Sequence, residues 1–250
     1  MKDSLSRIYV LTKRNIKEIL RDPLSLIFTL GLPLVMEVLF YLIFHNLTTQ
    51  FEMKYLAPGI VVFAESFLAL FVGMLLALDR STSFLTRLYV SKAKSYEFIL
   101  SYVLSIVPLV FIQSILFFLI GGIIDTSIFK ISMIFSILLS IVTSIFYTSI
   151  GLLLGSLCTE KSIGGVSSII IAGQSVLSGM WFPLDGISDG MITFMNILPF
   201  RNATMLIQNT LNGINDTFND FVLPLIIVLS YTLVSLIISI LVFKKKMKQN

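Results

Sequence analysis

Along the chain the apolar residues gather into long uninterrupted runs, separated by short polar stretches. Six runs stand out: Leu24 to Phe44, Pro58 to Leu78, Phe98 to Ile124, Ile131 to Leu157, Ile163 to Pro183 and Phe221 to Phe243. A helix rising about 1.5 Å per residue needs about 20 apolar residues to cover a hydrocarbon core of roughly 30 Å, and each run is long enough. Inside lipid a backbone satisfies its own polar groups only as a helix or a closed barrel, and these runs lack the period-two alternation of barrel strands. The pattern predicts an all-α membrane protein with six transmembrane helices.

Before the first run the pattern changes. Leu5, Ile8, Tyr9, Ile16, Ile19 and Leu20 recur at helical spacing, and Arg7, Lys13, Arg14 and Lys17 fill the other positions. This predicts an N-terminal amphipathic interfacial helix over residues 1–23, lying along the inner membrane surface with its apolar side down. It serves as an anchor or as a contact for a cytoplasmic partner. Arg21-Asp22-Pro23 ends it, because proline disfavours helix at the residue before it and starts a new helix readily. The lead is too long and too charged for a cleavable signal peptide, so the first span is expected to be retained.

Composition agrees: 56% of the 250 residues are hydrophobic and 13% charged, far from the soluble balance. Charge then sets orientation. With both termini cytoplasmic, the inside segments (the N-terminus, residues 79–97, residues 158–162 and the C-terminus) hold fifteen Lys and Arg against three outside, Lys54, Lys130 and Arg201. The net charge of +4 thus reflects topology, with attraction to membrane lipid as a by-product and no support for nucleic-acid binding. Cys158 stands alone, which excludes an internal disulfide, and with His45 the only histidine neither a zinc set nor a Cys/His nucleophile can be assembled. No Gly-x-x-x-x-Gly-Lys-Ser/Thr loop is present to cradle a nucleotide. The sequons at Asn46, Asn202 and Asn215 read as chance matches in a Ser/Thr/Asn-rich exterior.

Polar positions inside the runs are the candidates for a pathway. Glu37 stands seven residues before the outer end of the first run and Glu65 seven after the outer start of the second, so both are expected at matching depth, about 10 Å down. No Lys or Arg accompanies them within a span. Gln174 and Ser175 join them as pathway candidates near the end of the fifth run. In the fourth run Ser132, Ser136, Ser140, Ser144 and Thr148 lead to Gly151 and Gly155; such small residues permit close helix packing or line a polar wall. Residues 79–97 mix Arg80, Arg87, Lys92 and Lys94 with Phe84, Leu85, Leu88, Tyr89 and Val90, and form either a membrane-packed helix or a docking helix for a soluble partner.

Several stretches resemble one family across nearly the whole chain. Asn15 to Leu24, NIKEILRDPL, is similar to the start of the first span of ABC-2 type permease subunits, and Tyr55 to Ile60, YLAPGI, to the start of the second. Arg87-Leu88, Val90-Ser91 and Glu97 to Leu100 resemble the family's coupling helix, although Ser81, Thr82 and Ser83 replace its usual acidic-basic-Gly cluster and Lys92 a common Pro. Leu177 to Pro183, LSGMWFP, with Leu198-Pro199, resembles its outer hairpin.

The resemblance, to the drug- and antibiotic-exporter branch, implies a single ABC-2 transmembrane domain over residues 1–250 in a bacterial cell membrane. It implies an outer re-entrant hairpin between spans five and six, with residues 184–220 forming the hairpin and a surface helix carrying Ala203, Leu206, Ile207, Thr210 and Leu211. Pro183 and Gly186 would break the fifth helix, and Ser178, Gly179, Trp181, Phe182, Pro183 and Pro199 would form the outer gate. Arg87, Leu88, Tyr89, Val90 and Lys92, with Lys13, Arg14 and Lys17, would couple to two copies of a separate ABC ATPase subunit. That partner would hold ATP and Mg; this chain would bind no cofactor and catalyse nothing itself. A second permease subunit, identical or similar, would complete the assembly, and the cargo would be lipophilic or amphipathic: a drug, peptide antibiotic or lipid. Two other readings stay open, a proton-coupled carrier using Glu37 and Glu65, and a non-transporting immunity or sensor protein.

Overall fold

A computed structural model describes residues 2–82, 94–184 and 186–247. Among the described residues the chain is helical, with no strand. Helix α1 (Lys2–Leu20) is followed by α2 (Pro23–Phe44), which contains a π-helical turn at Ile27–Gly31. Then come α3 (Met53–Ser81), α4 (Ser95–Ile124), α5 (Ile131–Leu157) and α6 (Glu160–Leu177). Two shorter helices, α7 (Asp189–Ile197) and α8 (Pro199–Asn212), precede α9 (Leu223–Met247), which a π-helical turn at Thr217–Val222 leads into. Among the described residues five helices are long and apolar enough to cross a membrane: α2, α3, α4, α5 and the helix over Thr217–Lys245. The expected fifth span is not among them. It is helical only to Leu177, six residues short of Pro183, and Glu160, Lys161, Ser167, Ser168 and Gln174 dilute its apolar character.

The centre of the bundle is α3, which touches α2, α4, α5, α6 and α8. Of its most apolar stretch 72% is buried, against 17% for α2 and 22% for the last span, so those two present most of their surface outward. What draws α5 onto α3 is the absence of side chains. A Cβ on Gly151 would collide with the carbonyl of Ala69, one on Gly155 with the carbonyl of Gly73, and one on Gly73 would meet Gly151. Two small residues four apart on each helix let the backbones touch, the packing that helices in lipid use in place of a hydrophobic driving force. Arg80 ties the same helices at the end where α1 lies, here the base: its Nη1 donates to the carbonyls of Gly155 at 2.5 Å and Cys158 at 3.1 Å. A cation there satisfies carbonyls that the last turn of α5 leaves free and opposes its dipole.

Helix α3 begins at Met53, five residues ahead of the expected Pro58, which lies inside it. A proline removes the bond to the carbonyl four residues back and crowds that turn. Here α8 replaces the missing donor: Asn212 Nδ2 donates to the Lys54 carbonyl at 2.9 Å and Gln208 Nε2 to that of Tyr55 at 2.8 Å. The face of α8 built from Ala203, Leu206, Ile207, Thr210 and Leu211 is buried. It runs along α5: Ser132 Oγ donates to the Leu211 carbonyl at 2.9 Å, Ser136 Oγ to that of Ile207 at 3.3 Å, and Phe200 packs on Phe146 and Tyr147. The start of α8 therefore stands fifteen residues along α5, roughly 22 Å from its end.

Helix α1 differs from its expected placement. Its stripe Ile8, Leu11, Asn15 and Ile19 is buried, and Leu11 and Ile19 pack with Phe98, Ile99 and Tyr102 of α4. Leu5, Tyr9 and Leu20 stay exposed. The hydrophobic pattern mixed two faces, one for the bundle and one turned outward.

The glycine contact gives a direct test. Gly151→Val should lower stability in detergent by about 3 kcal/mol, the upper end of overpacking, because backbone rather than a yielding side chain opposes it. A Cβ at Gly164 meets nothing, so Gly164→Ala should melt no lower than the parent.

Candidate functional site

Between α2, α3 and α6 lies a cleft of about 420 Å³. Phe63, Phe67, Leu70 and Phe71 sit four, three and one residues apart on one face of α3, and Leu24 and Phe28 of α2 oppose them. Helix α6 contributes Ser168, Ile171, Ala172 and Ser175, which puts two hydroxyl groups on an otherwise apolar wall. Of the pathway candidates, Ser175 lines this cleft.

Above the cleft stands Trp181. Its ring meets Phe63 at 5.6 Å, Phe40 at 5.0 Å and Phe51 at 6.5 Å, so a cleft residue and the cap share one aromatic cluster. The chain reaches this position by turning earlier than expected. Ser178 closes α6 and Gly179 takes φ 69°, the left-handed conformation that glycine adopts without strain after a helix, well before Pro183 and Gly186. Met180 then drops into the bundle, where a Cβ on Gly59 would lie 3.3 Å from its Cβ. Among the expected gate residues Ser178, Gly179 and Trp181 converge here, while Phe182 and Pro183 point outward. Pro199 is buried at the turn from α7 to α8, which Asn202 pins by donating to the carbonyls of Asn196 and Leu198, both at 2.7 Å. That role removes Asn202 as a glycosylation acceptor.

The two intramembrane acids do not share a site. Glu37 stands by Ala57, eight residues before Glu65 on α3, so the two acids are not at the matching depth that the sequence led one to expect. Glu65 accepts a 3.0 Å hydrogen bond from Thr143 of α5. Glu37 is fully buried with neither oxygen bonded, beside Gly121 of α4 and Ala57 of α3. Glu65 and Gln174 are instead drawn together around Tyr147, which interacts with both. Tyr147 and Thr143 carried no signal in the sequence beyond a hydroxyl in an apolar run.

At the base, α1 is fastened to the ends of two other helices. Arg14 forms a two-pronged pair with Asp79 near the end of α3, with Nη2 to Oδ1 at 2.7 Å, and the Tyr102 hydroxyl donates to the same carboxylate. Arg7 forks onto Glu97 in the first turn of α4, at 2.9 and 2.8 Å, and Ser4 also donates to Glu97. Asn15 Nδ2 reaches Ser101 Oγ at 3.2 Å between the two pairs. Burial alone would lower the Arg14 pKa, but the hydrogen bond and charge of Asp79 outweigh it and raise it. Asp79 and Glu97 are the two stems of residues 83–93. Arg87, Leu88, Tyr89, Val90 and Lys92 lie outside the described residues. Lys13 and Lys17 are exposed at the base, whereas Arg14 is engaged within the chain. Sequence reading missed Asp79 because it stood at the edge of a basic segment. Among the described residues no group of three or more His, Cys, Asp or Glu is placed to hold a metal.

The model of the family described as ABC-2 type transporter matches residues 6–212. No curated protein matches the chain.

The clamp predicts its own disruption. Arg14→Ala leaves the Asp79 charge buried with Tyr102 as its main donor and should cost about 3 kcal/mol. Hydrogen exchange in α1 should accelerate, and the exchanged pair Arg14→Asp with Asp79→Arg should recover part of the loss.

Proposed function

We propose, because the chain belongs to the ABC-2 type transporter family, that it is the membrane subunit of an ATP-driven exporter of lipophilic or amphipathic molecules. The family establishes a multi-pass membrane permease, and such permeases generally work with an ABC ATPase. The rest is our reading, and the cleft capped by Trp181 carries it: an apolar channel wall with a removable aromatic lid.

In this reading α6 completes six crossings, shielded by α3 and by a second permease subunit. The base faces the cytoplasm, as the distribution of basic residues favours, in the cell membrane. Segment 83–93 docks on the ATPase, two copies serving two permease subunits. The outward surfaces of α2 and α6 supply room for the second permease, identical or similar, whose cleft would face this one. The α7–α8 pair is the re-entrant hairpin, supported by the depth at which Phe200 meets α5. Irregular backbone is tolerated there because protein rather than lipid surrounds it.

The coupling follows from the helices already described. Closure of the ATPases pushes the 83–93 segment; the Arg14–Asp79 and Arg7–Glu97 pairs oblige α1, α3 and α4 to move together; α3 carries Phe63, and its displacement unseats Trp181. Such coupling needs two global states with different partner contacts. A proton-coupled carrier would need no ATPase, and a sensor would need no removable lid.

Purification in mild detergent should recover an ATPase with a phosphate-binding loop, and vesicles holding both proteins should move a fluorescent amphiphile only with ATP. Transport by the isolated subunit would overturn the reading. Leu88→Asp should insert normally yet lose the ATPase and all ATP-driven transport. Trp181→Ala should keep the ATPase but let the same dye leak without nucleotide.

A further inference from the structure

The seam between α6 and the α3–α5 pair differs in kind from the glycine crossing beside it. Along it four buried polar atoms make no hydrogen bond among the described residues: Glu65 Oε2 on α3, the Tyr147 hydroxyl on α5, and Ser167 Oγ and Gln174 Oε1 on α6. None of these residues is more than 3% exposed. Buried polar groups are nearly always paired, with protein or with ordered water. Tyr147 lies beside Gln174, without the geometry of a hydrogen bond, and within reach of the Glu65 charge. Ser167 and Gln174 are two turns apart on one face of α6. The four atoms thus form one file rather than four separate defects.

Within the file is a cavity of about 10 Å³, lined by Tyr147, Ser167 and Ser66 with Gly151 and apolar neighbours. That is about the space one water needs, provided two to four polar groups meet it. Three of the lining residues carry hydroxyls: Tyr147 and Ser167, whose hydroxyls are unpaired among the described residues, and Ser66, whose Oγ donates to the Phe63 carbonyl at 2.6 Å and keeps lone pairs free.

We propose that this cavity is a water-binding site joining Ser167 of α6 to Tyr147 of α5, and through Tyr147 to Gln174 and Glu65. The unpaired polar groups of the seam are then joined by an exchangeable molecule rather than by direct hydrogen bonds. Hydrogen bonds through water are nearly as favourable as direct ones and re-form as the partners shift. Gly164, Gly165 and Gly173 of α6 have no neighbour where a Cβ would stand, so no glycine contact of the kind that joins α5 to α3 is made by them. On the exporter reading, the hydrated seam is the joint along which α6 moves the Trp181 lid that follows it; the site itself does not depend on that reading.

Hydroxyl-radical footprinting of the purified permease in nanodiscs, where radiolysis of a bound water labels the side chain beside it, tests the site without any ATPase. Tyr102 is the internal reference, equally buried but bonded to Asp79. Tyr147 should be labelled severalfold faster than Tyr102, and Ser167→Val, which fills the cavity, should remove the excess. Equal labelling of the two tyrosines in the parent protein would overturn the proposal, and so would an excess that survives in a folded Ser167→Val variant. If valine prevents folding, the ratio in the parent protein decides alone.

Discussion

The fold depends on two backbones touching. Where Gly151 and Gly155 meet Ala69 and Gly73, no side chain separates α5 from α3. Inside lipid, helices gain little from hiding apolar surface from one another, so closeness itself and the dispersion contacts it brings must hold them. Most of the long helices are placed against this pair. Helix α8 lies against both, α4 and α9 flank α5, and α2 and α6 flank α3. The same closeness makes the pair stiff, since neither helix can rotate without driving a side chain into the other's carbonyls.

Stiffness at the centre gives α3 two occupied ends. Asp79 is held by α1 at the base and Phe63 touches Trp181 above, sixteen residues or roughly 24 Å apart along one helix. Between them α3 presents a close glycine contact to α5 and, to α6, a contact that carries unpaired polar atoms. A displacement delivered to the base therefore reaches the aromatic cluster with little absorbed on the α5 side.

Much of this was legible in the sequence because lipid imposes simple rules. Five of the six apolar runs correspond to helices long and apolar enough to cross a membrane, and Gly151 and Gly155 announced a close contact. The failures share one cause: a pattern records which residues avoid water, not which neighbour they choose. Pro58 looked like a helix start because its missing donor is normally fatal mid-helix, and only the side chains of α8, about 150 residues later, explain why it is tolerated. Ile8 and Ile19 fitted a membrane-lying stripe equally well, until Leu11 and Asn15 revealed a face for α4. Asp79 and Glu97 read as ends of a loop; of their partners, Arg14 looked like a charge awaiting another protein and Arg7 like part of the polar face of the N-terminal helix. At the candidate site, Ser175, Gln174 and Trp181 stood out as polar or aromatic oddities, whereas Thr143 and Tyr147 were invisible without the third dimension.

The support that α8 lends to Pro58 also bears on how the chain is made. Helix α3 leaves the ribosome long before Gln208 and Asn212 exist, so the Lys54 and Tyr55 carbonyls enter the bilayer region without their eventual donors. Until then that turn must borrow water or lipid head groups, and the half-built bundle carries a mark that distinguishes it from the finished one. Completion of the end of α3 away from α1 is thus written into biosynthesis as a late event, and a chain arrested before α8 lacks two donors at the first turns of its central helix.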